Sequence, residues 1–242
     1  LASNAALRSG AGMVWCGLPG QQPPGLASEV VFRPLPSQDW HEQVLAEAAR
    51  FGALVMGCGM AADSHDDPGI RSSVQAIACS GDKPTVIDGG GIRALGAASL
   101  LSLSSHVVLT PHDGEFASLM GDRPGADRFA AARAAAEQTG ATVLLKGSVT
   151  IVAGPDGTCI ASASGDQRLA TAGTGDVLAG IIGSLLAGGL EPLWAAALGA
   201  WLHGAAAQTQ RAPGFVASDL FAGLPMVLAD LHERSRATRP AR

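Results

Sequence analysis

Short apolar runs rich in β-branched residues alternate along the chain with longer alanine-rich stretches of helical period. The short runs predict strands at 12–16, 29–33, 53–56, 85–88, 106–110, 142–146, 150–153 and 159–162. Between them the period lengthens. Trp40, Val44, Ala48 and Phe51 share one face of a helix predicted over 38–51, with Gly52 as its stop. Similar patterns predict helices at 69–79, 91–102, 114–121 and 127–139, the last closed by Gly140. Strands alternating with helices of this length imply βαβ units, hence a mainly parallel sheet with helices on both faces.

From Lys146 onward the pattern changes. Gly154-Pro155-Asp156-Gly157 is turn chemistry between two short strands and predicts a β-hairpin. Three helices in a row follow, at 175–188, 192–210 and 217–232. No linker, repeat or low-complexity block divides the sequence, so residues 1–242 are expected to form one α/β domain. The tail RSRATRPAR, residues 234–242, is expected to be disordered. The chain opens on LASNAALRSG, which reads as the later part of a helix, so part of the native N-terminus is expected to be missing.

Composition narrows the function classes. At 242 residues and 47% hydrophobic content the chain can bury a substantial core. Net charge is −5 with no long basic run, which argues against a nucleic-acid partner. The longest apolar run, 177–190, suits a core helix better than a membrane span. Cys16, Cys58, Cys79 and Cys159 are widely spaced with no CxxC pair. They are expected to be small buried residues in a reducing compartment rather than disulfides or zinc ligands. No charged segment precedes an apolar one at the start, so a cytoplasmic location is expected. Lysine occurs only at 83 and 146.

Ligands of open α/β sheets bind beyond the carboxyl ends of the strands. Five loops lie there: Gly57-Cys58-Gly59, Asp88-Gly89-Gly90-Gly91, 110–115, Lys146-Gly147 and 171–176. In the last, Gly173-Thr174-Gly175-Asp176 precedes a long apolar helix. Backbone N–H groups and the positive helix end favour a phosphate there. Asp176 is either a base facing that phosphate or a plain dipole-compensating acid. His112 and Glu115 stand three apart where a strand meets a helix, as ligand contacts or as capping residues. Lys146 ends a buried strand and either holds a nucleotide with Gly147 and Thr150 or is simply solvated. The glycine run 89–91 either admits a ligand or turns the chain.

Together these pieces resemble the ribokinase-like superfamily, and more closely its ADP-dependent NAD(P)H-hydrate dehydratases. The matching segments are 5–12 (AALRSGAG), 57–59 (GCG, where the family has a GPG-type loop), 109–115 (LTPHDGE), 144–150 (LLKGSVT) and 172–189 (AGTGDVLAGIIGSLLAGG). Three departures stand out. Asp113 replaces the proline of the usual HPGE, Gly90 replaces the second acid of a DADAL-type loop, and the family's first strand and Gly-rich loop would precede Leu1.

The resemblance implies a ribokinase-like α/β fold and a hydro-lyase that restores hydrated NADH or NADPH (NADHX, NADPHX) to NAD(P)H, with ADP as co-substrate and Mg²⁺. It implies Asp176 as catalytic base, with the Gly173, Thr174 and Gly175 amides as an anion hole. Gly59, His112 and Asp176 would contact the hydrated nucleotide. Lys146, Gly147, Ser148, Val149, Thr150 and Gly175 would bind the AMP moiety of ADP. Glu115 would place Mg²⁺ through water. A homo-oligomer, such as a tetramer, is also implied. Two other readings stay open: a kinase of the same superfamily acting on a vitamin precursor or sugar, and a nucleotide-binding protein without catalysis.

Overall fold

The structure, a computed structural model, describes residues 1–21, 25–60, 66–81, 83–97 and 102–237. Its centre is a six-stranded sheet with strands in sequence order: β3 (Leu54–Met56), β4 (Thr85–Ile87), β5 (Val107–Leu109), β6 (Thr142–Leu145), β7 (Thr150–Ala153) and β8 (Cys159–Ser162). The first four run parallel; β7 is antiparallel to β6, and β8 antiparallel to β7. Two earlier strands, β1 (Val14–Pro19) and β2 (Val30–Leu35), form a separate parallel pair.

Side chains alternate across the central sheet, and each face is covered by helices. Val86, Val108, Leu144 and Val152 point to one side, against α7 (Thr174–Ala187) and α8 (Pro192–Gln208). Ile87, Leu109, Val143, Leu145 and Ile151 point to the other. There they meet α3 (Pro68–Ser80), α4 (Gly90–Leu95), α5 (Asp113–Met120) and α6 (Arg128–Thr139). Trp40 of α2 (Trp40–Glu47) closes that layer. Truncating a buried residue such as Ile87 to alanine would cost roughly 2–5 kcal/mol. A third cluster joins α7 and α8 to α1 (Ala2–Arg8) and α9 (Leu220–Ala237).

The mainly parallel α/β architecture matches the alternation read from sequence. Several boundaries move for physical reasons. The helix expected over 38–51 ends at Glu47 and tightens into a 3₁₀ turn, Ala48–Arg50. Gly52 instead lies so close to Ala187 that a side chain would meet its backbone at 2.9 Å. The helix expected over 91–102 stops at Leu95, because Gly96 takes φ 85°, ψ −158°; residues 98–101 of that expectation lie outside the described residues.

Two expectations need correction. Arg234, Ser235, Arg236 and Ala237, assigned to a disordered tail, continue α9, and an Arg234–Asp230 ion pair at 2.9 Å supports that last turn. Residues 238–242 lie outside the described residues. The cysteines are unpaired, but none is fully buried, and Cys79 is exposed. Among the described residues no helix is long and apolar enough to cross a membrane.

Candidate active site

α7 opens at Gly173, whose φ of 87° and ψ of −8° is a left-handed turn that side chains resist. Thr174 fixes the turn from inside, its Oγ1 donating to the Leu169 and Thr171 carbonyls at 2.7 and 2.8 Å. Val177 to Leu186 are then mostly buried, which anchors the helix and fixes the direction of its N-terminus. Asp176, in the first turn, is half-buried there. Burial, reinforced by the charge of Asp88, raises its pKa above the ordinary aspartate range.

Asp88 ends β4 and is buried. Its Oδ1 accepts from Thr110 Oγ1 at 2.7 Å and from Lys146 Nζ at 2.8 Å. Lys146 Nζ also lies 3.4 Å from Glu115 Oε2. Burial works against the lysine's charge, but the Asp88 and Glu115 carboxylates outweigh it and hold its pKa above the ordinary value. A side chain at Gly175 would sit 3.5 Å from Asp88 Oδ2 and 3.5 Å from Lys146 Nζ. The mouth of α7, the β4 acid and the β6 lysine therefore converge on one point. The Cys58 sulfur, an Asp88 oxygen and an Asp176 oxygen lie within 4.8 Å of one another. Burial pushes the Cys58 thiol's pKa well up, and the two carboxylates add to the effect.

Across the mouth, His112 caps α5. Its Nδ1 accepts from the Gly114 and Glu115 amides at 2.9 and 3.2 Å, so the ring proton resides on Nε2, which lies 3.2 Å from Glu115 Oε1. Glu115 Oε2 in turn accepts from the His112 amide at 2.9 Å. This reciprocal cap was one of the two readings open for the pair, and the imidazole remains half-exposed. Glu115 reaches the site, yet both its oxygens face His112 or Lys146. Among the described residues, the group with metal-ligand spacing is Cys58, Asp88 and Asp176, without Glu115.

The glycine run 89–91 serves close approach between loops. A side chain at Gly90 would meet Met60 Cβ at 2.6 Å, and one at Gly91 would come within 3.0 Å of the Gly57 α-carbon. An acid at position 90 would therefore require Met60 to move. Beside Gly59 (φ 78°) no atom of the described residues outside its chain neighbours comes within 4 Å of where a side chain would begin. Gly147, Ser148 and Val149 are exposed in the turn from β6 to β7, and Thr150 begins β7.

Three side chains near the site were not among the expected site residues. Cys58, expected as a small buried residue within a strand-end loop, stands beside Asp88 and Asp176. His203 of α8 is buried near the Thr174 backbone, its Nε2 without a hydrogen-bond partner among the described residues. Arg128 donates to Asp113 Oδ1 at 2.9 Å and to the Lys146 carbonyl at 2.8 Å. A hollow of about 460 Å³ runs along α3 beside Arg71 and Gln75; none of the expected site residues lines it.

The arrangement sets a raised-pKa carboxylate at the mouth of α7 beside a lysine held between two acids. Comparison with known proteins shows the family. Residues 1–222 match the family model described as NAD(P)H-hydrate dehydratase. The chain is 38% identical over 234 residues to the ADP-dependent (S)-NAD(P)H-hydrate dehydratase of Neisseria meningitidis, covering 92% of this chain and 76% of that one. It is 37% identical over 252 residues to a bifunctional NAD(P)H-hydrate repair enzyme of Moorella thermoacetica, covering 96% of this chain but 47% of that longer protein. The chain thus spans about half the length of such bifunctional relatives. Its fold superposes on the ADP/ATP-dependent NAD(P)H-hydrate dehydratase of Bacillus subtilis, co-crystallized with ATP/Mg²⁺, with a TM-score of 0.79 and 28% identity. That match covers 95% of this chain and 83% of the other. The chain belongs to the NAD(P)H-hydrate dehydratase family.

Proposed function

We propose that the chain dehydrates hydrated NADH or NADPH back to NAD(P)H at the expense of ADP, with Asp176 as the base. The observation that carries this reading is the placement of Asp176. It is a half-buried carboxylate with a raised pKa, in the first turn of α7, beside a glycine that faces both Asp88 and Lys146. A plain capping acid gains nothing from burial next to a second acid. A base does, because its proton affinity rises toward that of its working range.

The ring hydroxyl of the hydrated nicotinamide is a poor leaving group. Asp176 takes its proton, and the oxygen attacks the β-phosphorus of ADP as the bond to AMP breaks. Backbone amides at the mouth of α7 and the Lys146 ammonium face the charge on the moving phosphoryl group. The ring nitrogen's electron pair then expels phosphate from carbon, and loss of a proton from the adjacent carbon restores the dihydropyridine. The balance is hydrated NADH plus ADP giving NADH, AMP and phosphate.

Lys146, Gly147, Ser148, Val149 and Thr150 hold the AMP portion in this reading, and Gly59 and His112 border the hydrated nucleotide. Mg²⁺, as a hard cation that keeps its water shell, fits Glu115 only through water, since both carboxylate oxygens already have protein partners. When bound, it supplies neutralisation of phosphate charge. The protein acts as a homo-oligomer.

The test is recovery of absorbance near 340 nm from hydrated NADH on adding ADP, Mg²⁺ and the purified chain, with AMP and phosphate formed in equal amounts. A kinase for a vitamin precursor or sugar would leave hydrated NADH untouched, and that outcome would overturn the reading.

A further inference from the structure

Arg128 is the first residue of α6, following the cap Asp127. A cation there opposes the helix dipole, so local helix chemistry does not account for it. Its guanidinium instead spans two loops of the site. One nitrogen donates to Asp113 Oδ1 at 2.9 Å, and the other donates to the Lys146 carbonyl at 2.8 Å. Lys146 is held from the other side as well, its amide donating to the Pro111 carbonyl at 2.9 Å. A side chain at the next residue, Gly147, would meet the guanidinium nitrogen at 2.9 Å and displace it. The turn that leaves β6 is thus packed directly on Arg128.

Asp113 is the first residue of α5, where a proline would suit the helix equally well. Only the acid can hold Arg128, so the proline-to-aspartate departure at this position has a partner 15 residues away.

We infer that the Asp113–Arg128 pair is a positioning device that sets the Lys146–Gly147 turn for the nucleotide. Arg128 touches neither substrate; it acts through the carbonyl of Lys146. A planar guanidinium can serve both acceptors at once, whereas a lysine at 128 offers one compact charge. The pair therefore governs ADP affinity rather than the chemical step. This inference rests on the dehydratase reading above.

The experiment compares the parent chain with Arg128→Gln, Arg128→Lys, Asp113→Asn and the Arg128→Gln/Asp113→Asn double variant. Melting temperature, KM for ADP, KM for hydrated NADH and kcat are measured, with AMP binding followed by calorimetry. Arg128→Gln should raise KM for ADP and the Kd for AMP about tenfold, the size of one charge-assisted hydrogen bond. KM for hydrated NADH and kcat should stay within about twofold, since binding unchanged between ground and transition state moves KM alone. Arg128→Lys should fall between parent and Arg128→Gln. The double variant should be no worse than Arg128→Gln alone, because the two residues act as one unit. An unchanged ADP affinity, or a fall in melting temperature with unaltered kinetics, overturns the inference. A parent chain that binds AMP but does not dehydrate hydrated NADH overturns the functional reading instead, and the AMP titrations then judge the pair by themselves.

Discussion

Lys146 Nζ lies 2.8 Å from Asp88 Oδ1, so the charge expected to meet a phosphate is matched by a buried carboxylate inside the protein. Two consequences follow for Lys146→Ala. A charge-assisted bond to phosphate contributes roughly 1.5–3 kcal/mol, so AMP affinity should fall about tenfold or more, while hydrated NADH binding changes less. Breaking a buried pair also leaves Asp88 uncompensated, at a cost of roughly 3–5 kcal/mol if the site stays closed. The melting temperature should drop too. Adding Asp88→Asn should recover the melting temperature but not the affinity. Unchanged AMP binding in calorimetry would remove Lys146 from the nucleotide site.

Asp176→Asn retains shape and loses the base. The fold and AMP binding should survive, and turnover should fall by about 10²–10⁴-fold. Steady-state rates at 340 nm decide the matter, with calorimetry as the control. A variant turning over near the parent rate would make Asp176 a dipole-compensating acid and no more.

The strands and most helices were legible because each is encoded locally, by apolar runs of period two or by a helical stripe. The loops that build the site were legible for a different reason: strand ends in such sheets face the ligand. What stayed hidden depends on contacts between distant segments. Nothing near Arg128 announces that it will reach the Lys146 carbonyl 18 residues on. The glycine run 89–91 reads as a ligand opening or a turn, and its close packing at Gly90 against Met60 depends on a segment 30 residues away. His112 and Glu115 were legible as a pair, but their reciprocal cap required knowing where α5 begins.

Asp176 also predicts the acid limb of the pH–rate profile. A base must be ionised, so activity should rise as pH climbs through its pKa. Burial and Asp88 place that pKa above the ordinary 3.8. Asp88→Asn removes the raising charge and frees Lys146 to favour the carboxylate, so the limb should move to lower pH. The measurement is kcat/KM for hydrated NADH against pH in parent and variant. A limb that stays in place would assign it to another group.

His203 makes a prediction about stability. Its ring is buried on α8 near the Thr174 backbone, with no partner for Nε2 among the described residues, and burial lowers its pKa from 6.5 to about 4. Above pH 6.5 the ring is neutral in both folded and unfolded chains and titration contributes nothing. Between 6.5 and 4 the unfolded chain takes up a proton that the folded chain refuses. Stability is therefore lost as pH falls through that window, by about 3 kcal/mol in all, and no further loss comes from this group below it. Urea unfolding of the parent from pH 7 to pH 4.5 should show this decline. His203→Gln cannot titrate, so its stability should fall less steeply over the same range, whatever its value at pH 7. The carboxylates that titrate at the acid end are common to both proteins and cancel in the comparison. Parallel curves would show that the folded chain accepts the proton at His203, and that the ring is less enclosed beneath the mouth of α7 than its burial implies.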